Sequence, residues 1–224
     1  MTQLKPFWQM SEYFHLDAEN FAETGVPWKN RYKYIEDVQP NNEEQVNLMN
    51  TFNSILRSYK GAFVFVSGGK DTGKTFLGSA LVNSAARWSS CIDRGTTRMF
   101  SWNPKFVSMD ILIERLTNFR SHIDWFREYS VYCKLLVIDR WTLLDGNDPL
   151  PNAVRKRLES LLKASLENGN TVILLSRLLW ANAYDQFTTA FRQELPEMYI
   201  RPLAYPYKSV AARAFDDDDR DVDF

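Results

Sequence analysis

The sequence predicts an α/β fold, a three-layer sandwich with a mainly parallel central sheet. Three observations carry this. Short apolar, β-rich runs alternate with stretches of helical periodicity; the loop Gly68-Gly69-Lys70-Asp71-Thr72-Gly73-Lys74-Thr75 joins the first such run to a helix; and a later run ends in Asp139. Strands alternating with helices need crossovers, which are right-handed and put helices on both faces of the sheet.

The elements follow in order. Residues 1–24 alternate aromatic and polar positions (Phe7, Trp8, Tyr13, Phe14, Phe21) without a helical period, and fit a partner-docking arm, a strip folded on the core or a disordered terminus equally. Gly25-Val26-Pro27 punctuates the chain. Gln45, Leu48, Met49, Phe52, Ile55 and Leu56 recur at three-and-four spacing and predict an amphipathic helix that Gly61 ends. Ala62 to Val66 reads as a strand buried on both faces, and Phe76, Leu77, Ala80, Leu81 and Ala85 continue beyond the glycine loop as a helix to about Trp88.

Arg98 to Trp102 reads as a second strand and Val107 to Phe119 as a helix. Lys134 to Ile138 is a third strand, ended by Asp139, and Asn152 is the expected cap of a helix carrying Val154, Leu158, Leu161, Leu162 and Leu166. Thr171 to Leu175 is the fourth strand, a helical stretch runs from Trp180 to Gln193, and Tyr199 to Arg213 reads as an edge strand and a short helix. The domain expectation is an arm over 1–24, one nucleotide-binding domain over 25–213 and an acidic tail over 214–224.

Bulk properties narrow the function classes. A chain of 224 residues, 45% apolar and 14% aromatic, can bury one substantial core. No stretch is long and apolar enough to span a bilayer and no basic-capped apolar leader is present, so the expectation is a soluble, cytoplasmic protein without membrane contact. Two cysteines, Cys91 and Cys133, with two histidines make no zinc-ligand spacing and fit a reducing compartment. Six aspartates against one arginine give residues 216–223 a charge of −5, so the remainder carries +4 of the net −1. That balance permits nucleic-acid contact without demanding it. The tail reads as solvated, or as a mimic of nucleic acid that competes for a basic surface.

The glycine loop is a complete phosphate-binding loop. Gly68, Gly69 and Gly73 let successive backbone N–H groups approach phosphate oxygens at a helix N-terminus. Lys74 is placed to reach the outer phosphates and Thr75 to put its hydroxyl on Mg²⁺. Lys70, Asp71, Thr72 and Phe76 complete the binding stretch, although Lys70 fits an exposed lysine as well. Asp139, ending a neighbouring buried strand, fits the second protein ligand of the metal. The expected ligands are ATP and Mg²⁺.

On these residues the sequence resembles the AAA+ ATPases of the bacterial helicase-loader and IstB-like transposition-helper group. The resemblance spans about 25–213 and rests on Gly25-Val26-Pro27-Trp28-Lys29-Asn30-Arg31-Tyr32, on the helix before Ala62 and on the loop running into Phe76-Leu77-Gly78-Ser79-Ala80-Leu81. It implies an AAA+-like ATPase core and a replicative helicase, transposase or other DNA-bound protein as partner. It also implies single-stranded DNA near the helix after the second strand (Lys105, Arg115, Arg120) and an ATP-dependent homo-oligomer. Asp139 then takes a catalytic, metal-holding role. Arg192 takes that of an arginine finger reaching the next subunit, with a surface arginine as the alternative, and Lys208 or Arg213 takes the sensor 2 position.

Two positions depart from the group. Its Walker B strand ends in Asp followed by an acidic residue, whereas this chain has Asp139-Arg140; its sensor 1 strand ends in Ser or Thr followed by Asn, whereas this chain has Ser176-Arg177. A guanidinium cannot act as a base but binds phosphate oxygens bidentately, so the resemblance implies binding with weakened hydrolysis. The bland alternative is that Arg140 and Arg177 face away and pair with surface acids, and Asp145 or Asp148 could stand in for the missing carboxylate. The group's loaders carry a sizeable N-terminal helicase-binding domain, and 24 residues precede Gly25 here. A non-hydrolysing adaptor is the competing reading, and a small-molecule kinase is disfavoured for want of an acceptor-binding lid.

Overall fold

The structure is a computed structural model. It describes residues 23–40, 46–52, 61–70, 72–92, 103–119, 123–145, 148–195 and 200–204. The arm as far as residue 22, the strand expected at Arg98 to Trp102, Asp71, Arg120, Lys208, Arg213 and the tail lie outside the described residues.

Strands β1 (Phe63–Ser67), β2 (Lys105–Ser108), β3 (Leu135–Asp139), β6 (Thr171–Ser176) and β7 (Ile200–Ala204) form one sheet in the order β2-β3-β6-β1-β7. Every pairing is parallel. The two-residue strands β4 (Leu144–Asp145) and β5 (Asp148–Pro149) pair with each other, off that sheet. Asp145 and Asp148 therefore belong to a separate ladder beyond the end of β3. Helices α1 (Lys74–Ile92), α2 (Met109–Thr117), α3 (Ile123–Arg127), α4 (Asn152–Glu167), α5 (Trp180–Asp185) and α6 (Thr189–Glu194) make the crossovers, and a π-helical turn over Glu128–Tyr132 follows α3.

Successive residues of a strand point to opposite faces, and here both faces are buried. Val64, Val66, Val137, Ile173 and Leu175 pack under α1 with Ile35, Val38 and Phe52. Phe63, Phe65, Leu136, Ile138, Val172 and Leu174 pack on the other side against Leu112 and Leu116 of α2 and Leu158, Leu161 and Leu162 of α4. This is the three-layer sandwich that the alternating runs imply. Pro202 sits on β7, at the edge of the described sheet, where proline is tolerated. Cys133 is fully buried, and burial pushes its thiol up to about 12, which keeps it protonated at neutral pH.

Helix α1 is buried around its whole girth from Leu77 to Arg87. Gly78 lies so close to the sheet that a Cβ there would come within 2.6 Å of Leu175 Cδ1. Its polar side faces protein as well: Ser79, Asn83 and Ser84 are at most 1% exposed. They hold the segment 28–38. Asn30 Nδ2 donates to Ser79 Oγ at 3.1 Å, Asn83 Nδ2 donates to the carbonyls of Asn30 at 2.8 Å and Lys33 at 2.6 Å, and the Ile35 N–H donates to Ser84 Oγ at 2.9 Å. Gly25 starts this segment with φ at +75°, and a Cβ there would lie 2.3 Å from the Phe106 carbonyl oxygen.

A testable contrast follows from those two facts. Gly25→Ala is expected to cost about 2–4 kcal/mol in urea unfolding, because left-handed strain adds to a backbone clash. Gly169→Ala, at φ +69° with nothing within 4 Å of the new carbon, is the control and should cost only about 1–2 kcal/mol. Equal losses at both sites would remove the close approach as the cause.

Three expectations need correction. Lys105 to Ser108 is a strand, so the helix expected from Val107 starts at Met109. The lysine obscured a buried position: Lys105 Nζ reaches Glu128 Oε1 at 2.7 Å and the Glu23 carbonyl at 3.1 Å. Asn152 is not the cap of α4; Pro151 is, and Asn152 Oδ1 accepts from Arg155 Nη2 at 2.6 Å inside the first turn. The stretch from Trp180 to Gln193 is two helices. Buried Glu159 of α4 accepts from both Thr188 N and Thr188 Oγ1, at 2.7 and 2.6 Å, and Thr188 caps α6, so the chain breaks there.

Candidate functional site

In a parallel sheet a ligand site forms beyond the C-terminal ends of the strands. Three strand ends meet here: β1 runs into the glycine loop, β3 ends at Asp139 and β6 at Ser176. The Gly68 N–H donates to the Ser176 carbonyl at 3.1 Å, which ties the start of the loop to β6. Gly73 has φ at +83°, and its carbonyl accepts the Leu77 N–H at 2.8 Å as α1 begins. A Cβ on Gly68 would sit 2.8 Å from Thr72 Oγ1, so a larger residue there would displace the hydroxyl that accepts from Lys74.

Lys74 is almost fully buried. Its ammonium donates to the Gly68 carbonyl at 2.6 Å, to the Gly69 carbonyl and to Thr72 Oγ1 at 3.0 Å. A cation therefore stands over the loop at the N-terminus of a 19-residue helix, where unpaired N–H groups and the helix dipole already favour an anion. Thr75 Oγ1 donates to Asp139 Oδ2 at 2.9 Å across 64 residues of sequence. The side chain expected on the metal and the carboxylate expected beside it are in contact.

Both Thr75 and Asp139 border a cleft of about 360 Å³, within the usual range of small-molecule sites. Lys70, Thr72, Gly73, Lys74 and Phe76 border it from the loop and α1, and Leu175, Ser176 and Arg177 from β6. Among the described residues, five with cationic side chains (Lys29, Lys70, Lys74, Arg140, Arg177) and one with a carboxylate, Asp139, border it. The cleft is built for a ligand of high negative charge.

Lys29 and Asn30 are the lining residues that the motif does not reveal. They reach the cleft because the polar residues of α1, Ser79 and Asn83, bind Asn30 and Lys33 from the far side of the sequence.

The two departures from the resembled group take definite positions. Arg140 has φ at +58°, which costs a non-glycine residue about 1–2 kcal/mol. Neighbouring bonds hold it there: the Trp141 N–H donates to the Leu175 carbonyl and Ser176 Oγ to the Trp141 carbonyl, both at 2.8 Å. The Arg140 guanidinium pairs with Asp110 of α2 at 3.3 Å, with both side chains mostly exposed. Ser176 Oγ also accepts from the Leu178 N–H at 3.0 Å, so its hydroxyl ties backbone together rather than serving a ligand. Arg177 is exposed at the cleft edge.

Elsewhere the expected residues scatter. Arg192 of α6 pairs with Asp185 at 3.4 Å and stacks on Tyr184, and it does not line the cleft of its own chain. Lys105 is buried in its ion pair, which removes it as a nucleic-acid contact, and Arg115 lies over the Trp125 ring at 4.8 Å. Among the described residues no helix is long and apolar enough to cross a membrane.

No family model matches the chain, and no curated protein matches it. Solved structures share its fold. A proposed primosome component from Streptococcus pyogenes serotype M3 aligns with a TM-score of 0.58 and 13% identity, over 87% of this chain and 99% of its own. Domain III of the Thermotoga maritima replication initiation protein DnaA aligns at 0.55 and 14%, over 77% and 67%. A replication initiator DnaA bound to AMPPCP and single-stranded DNA aligns at 0.57 and 16%, over 88% and 58%. At such identities the likeness is one of fold: a three-layer α/β sandwich with a parallel central sheet.

Proposed function

We propose that this chain is an AAA+-like ATP-binding protein of DNA replication or mobile-element DNA handling, a helicase-loader-like factor that acts on a DNA-bound partner. The contact that carries the nucleotide reading is Thr75 Oγ1 to Asp139 Oδ2 at 2.9 Å, made beside a lysine folded over a glycine loop. Two hard oxygen donors suit Mg²⁺, which takes few protein ligands and fills its shell with phosphate and water. Among the described residues no group of three or more His, Cys, Asp or Glu could hold a metal alone, in keeping with a metal that arrives with the nucleotide. Bound Mg²⁺ would neutralise charge on the outer phosphates. Thr75 and Asp139 would hold it, Lys74 would bind the outer phosphates, and Lys29 and Asn30 would border the rest of the nucleotide.

The role in DNA handling is supported by the fold shared with a proposed primosome component and with replication initiators. A replicative helicase or a transposase is the kind of partner that fits, with single-stranded DNA as a second ligand. ATP would fix the packing of a homo-oligomer in which Arg192 of one copy approaches the nucleotide of the next.

A second reading has its own observation. Arg140 and Arg177 occupy the cleft edge where hydrolysis needs a water-orienting carboxylate and amide, and Ser176 is committed to backbone. Loss of a general base costs about 10²–10⁴-fold in rate. On that reading the protein is an adaptor for which ATP is a structural ligand. Phosphate release by the full chain, with and without single-stranded DNA, separates the two: turnover stimulated by DNA supports the motor, and tight ATP binding without turnover supports the adaptor. Transfer of phosphate to a small acceptor would sink both.

A further inference from the structure

We infer that Arg140, with Arg177, reads the terminal phosphate of a bound nucleoside triphosphate, and that Asp110 holds Arg140 until that phosphate arrives. The inference rests on the nucleotide-binding reading of the cleft and adds its specificity.

The starting observation is a backbone outlier. Arg140 is one of two described non-glycine residues at positive φ, and it sits one residue beyond the candidate metal carboxylate. Strain of this kind persists only where the surroundings over-determine it. The bonds from the Trp141 N–H to β6 and from Ser176 Oγ to the Trp141 carbonyl do that. They turn the arginine out of β3 at the mouth of the cleft, and Arg177 leaves β6 at the same edge.

Each guanidinium offers a planar fork of donors and stays charged at any working pH. The loop N–H groups gather where the inner phosphates of a nucleotide would lie, Lys74 and the metal ligands where the outer ones begin, and Arg140 stands one residue beyond Asp139 on that outer side. The two arginines add charge at the rim, where only a further phosphate would need it.

Asp110 makes the device switchable. It lies in the first turn of α2, and its pair with Arg140 spans 3.3 Å with both side chains about 70% exposed. An exposed pair of this sort is weak and readily exchanged. A phosphate oxygen with more charge and less water competes well for the same fork. Arrival of the triphosphate therefore releases the Asp110 carboxylate, and a diphosphate leaves the Arg140–Asp110 pair intact.

The test is calorimetric titration of the full chain with MgADP and with the β,γ-methylene analogue of MgATP. The wild type is expected to bind the analogue at least about tenfold more tightly than MgADP. Arg140→Gly suits the backbone angle and so keeps the fold. Arg140→Gly and Arg177→Gln should each reduce that preference about three- to tenfold and leave MgADP affinity within about twofold. Asp110→Asn should tighten analogue binding by up to about fivefold and leave MgADP unchanged. Unchanged preference in both arginine variants, or equal loss for both nucleotides, overturns the inference. Failure of the wild type to bind either nucleotide would instead overturn the nucleotide reading beneath it.

Discussion

Lys74→Ala is expected to weaken binding of MgATP by about 10²-fold or more, read by calorimetry on the full chain. The nearly buried ammonium is the only cation folded directly over Gly68 and Gly69 among the described residues. Truncating one member of a desolvated, hydrogen-bonded charge pair typically costs about 2–5 kcal/mol, because the partner keeps its desolvation cost. Lys74→Arg should recover little, since a planar fork does not fit between two carbonyls that hold a single point donor. The Lys74 ammonium donates to Gly68, Gly69 and Thr72 of its own loop, so unfolding by urea should change far less than nucleotide binding. Full-affinity binding by the alanine variant would end the nucleotide assignment.

The second large effect is on stability and reaches the site through it. Asn83→Leu keeps the approximate size of the side chain but removes donors to the carbonyls of Asn30 and Lys33. Each buried acceptor left without a partner costs about 1–3 kcal/mol, so the variant should lose about 2–5 kcal/mol in urea unfolding. Asn30 borders the cleft and loses one of its two bonds named above to α1, keeping that to Ser79, so nucleotide affinity should fall as well, even at temperatures where the variant remains folded. A variant as stable as the wild type would show that segment 28–38 is held without Asn83, by Ile35 and Val38 and by the bonds to Ser79 and Ser84.

These two sites differ in how far the sequence reveals them. The loop around Lys74 is legible because its function constrains adjacent residues: clearance from Gly68 and Gly73, charge from Lys74 and a hydroxyl from Thr75 all lie within eight positions. Asn83 is not, because its partners lie 53 and 50 residues earlier and its own helix shows only a polar residue at a spacing that usually faces water. Lys105 misled for the same reason, since its charge suggested a surface helix while its ion pair with Glu128 satisfies it inside the fold.

The sequence alone determined the parallel α/β sandwich, the phosphate loop and Asp139 as its distant companion, because apolar runs, glycines and a strand-ending carboxylate are local signals. Which strands lie side by side was decided only by tertiary structure. The order β2-β3-β6-β1-β7 brings Thr75 to 2.9 Å from Asp139 and sets the covering segment on α1. It also turned Arg140 into a left-handed residue paired with Asp110. Side-chain direction at a strand end depends on what the neighbouring strand donates, and that partner is chosen by packing rather than by adjacency in the chain.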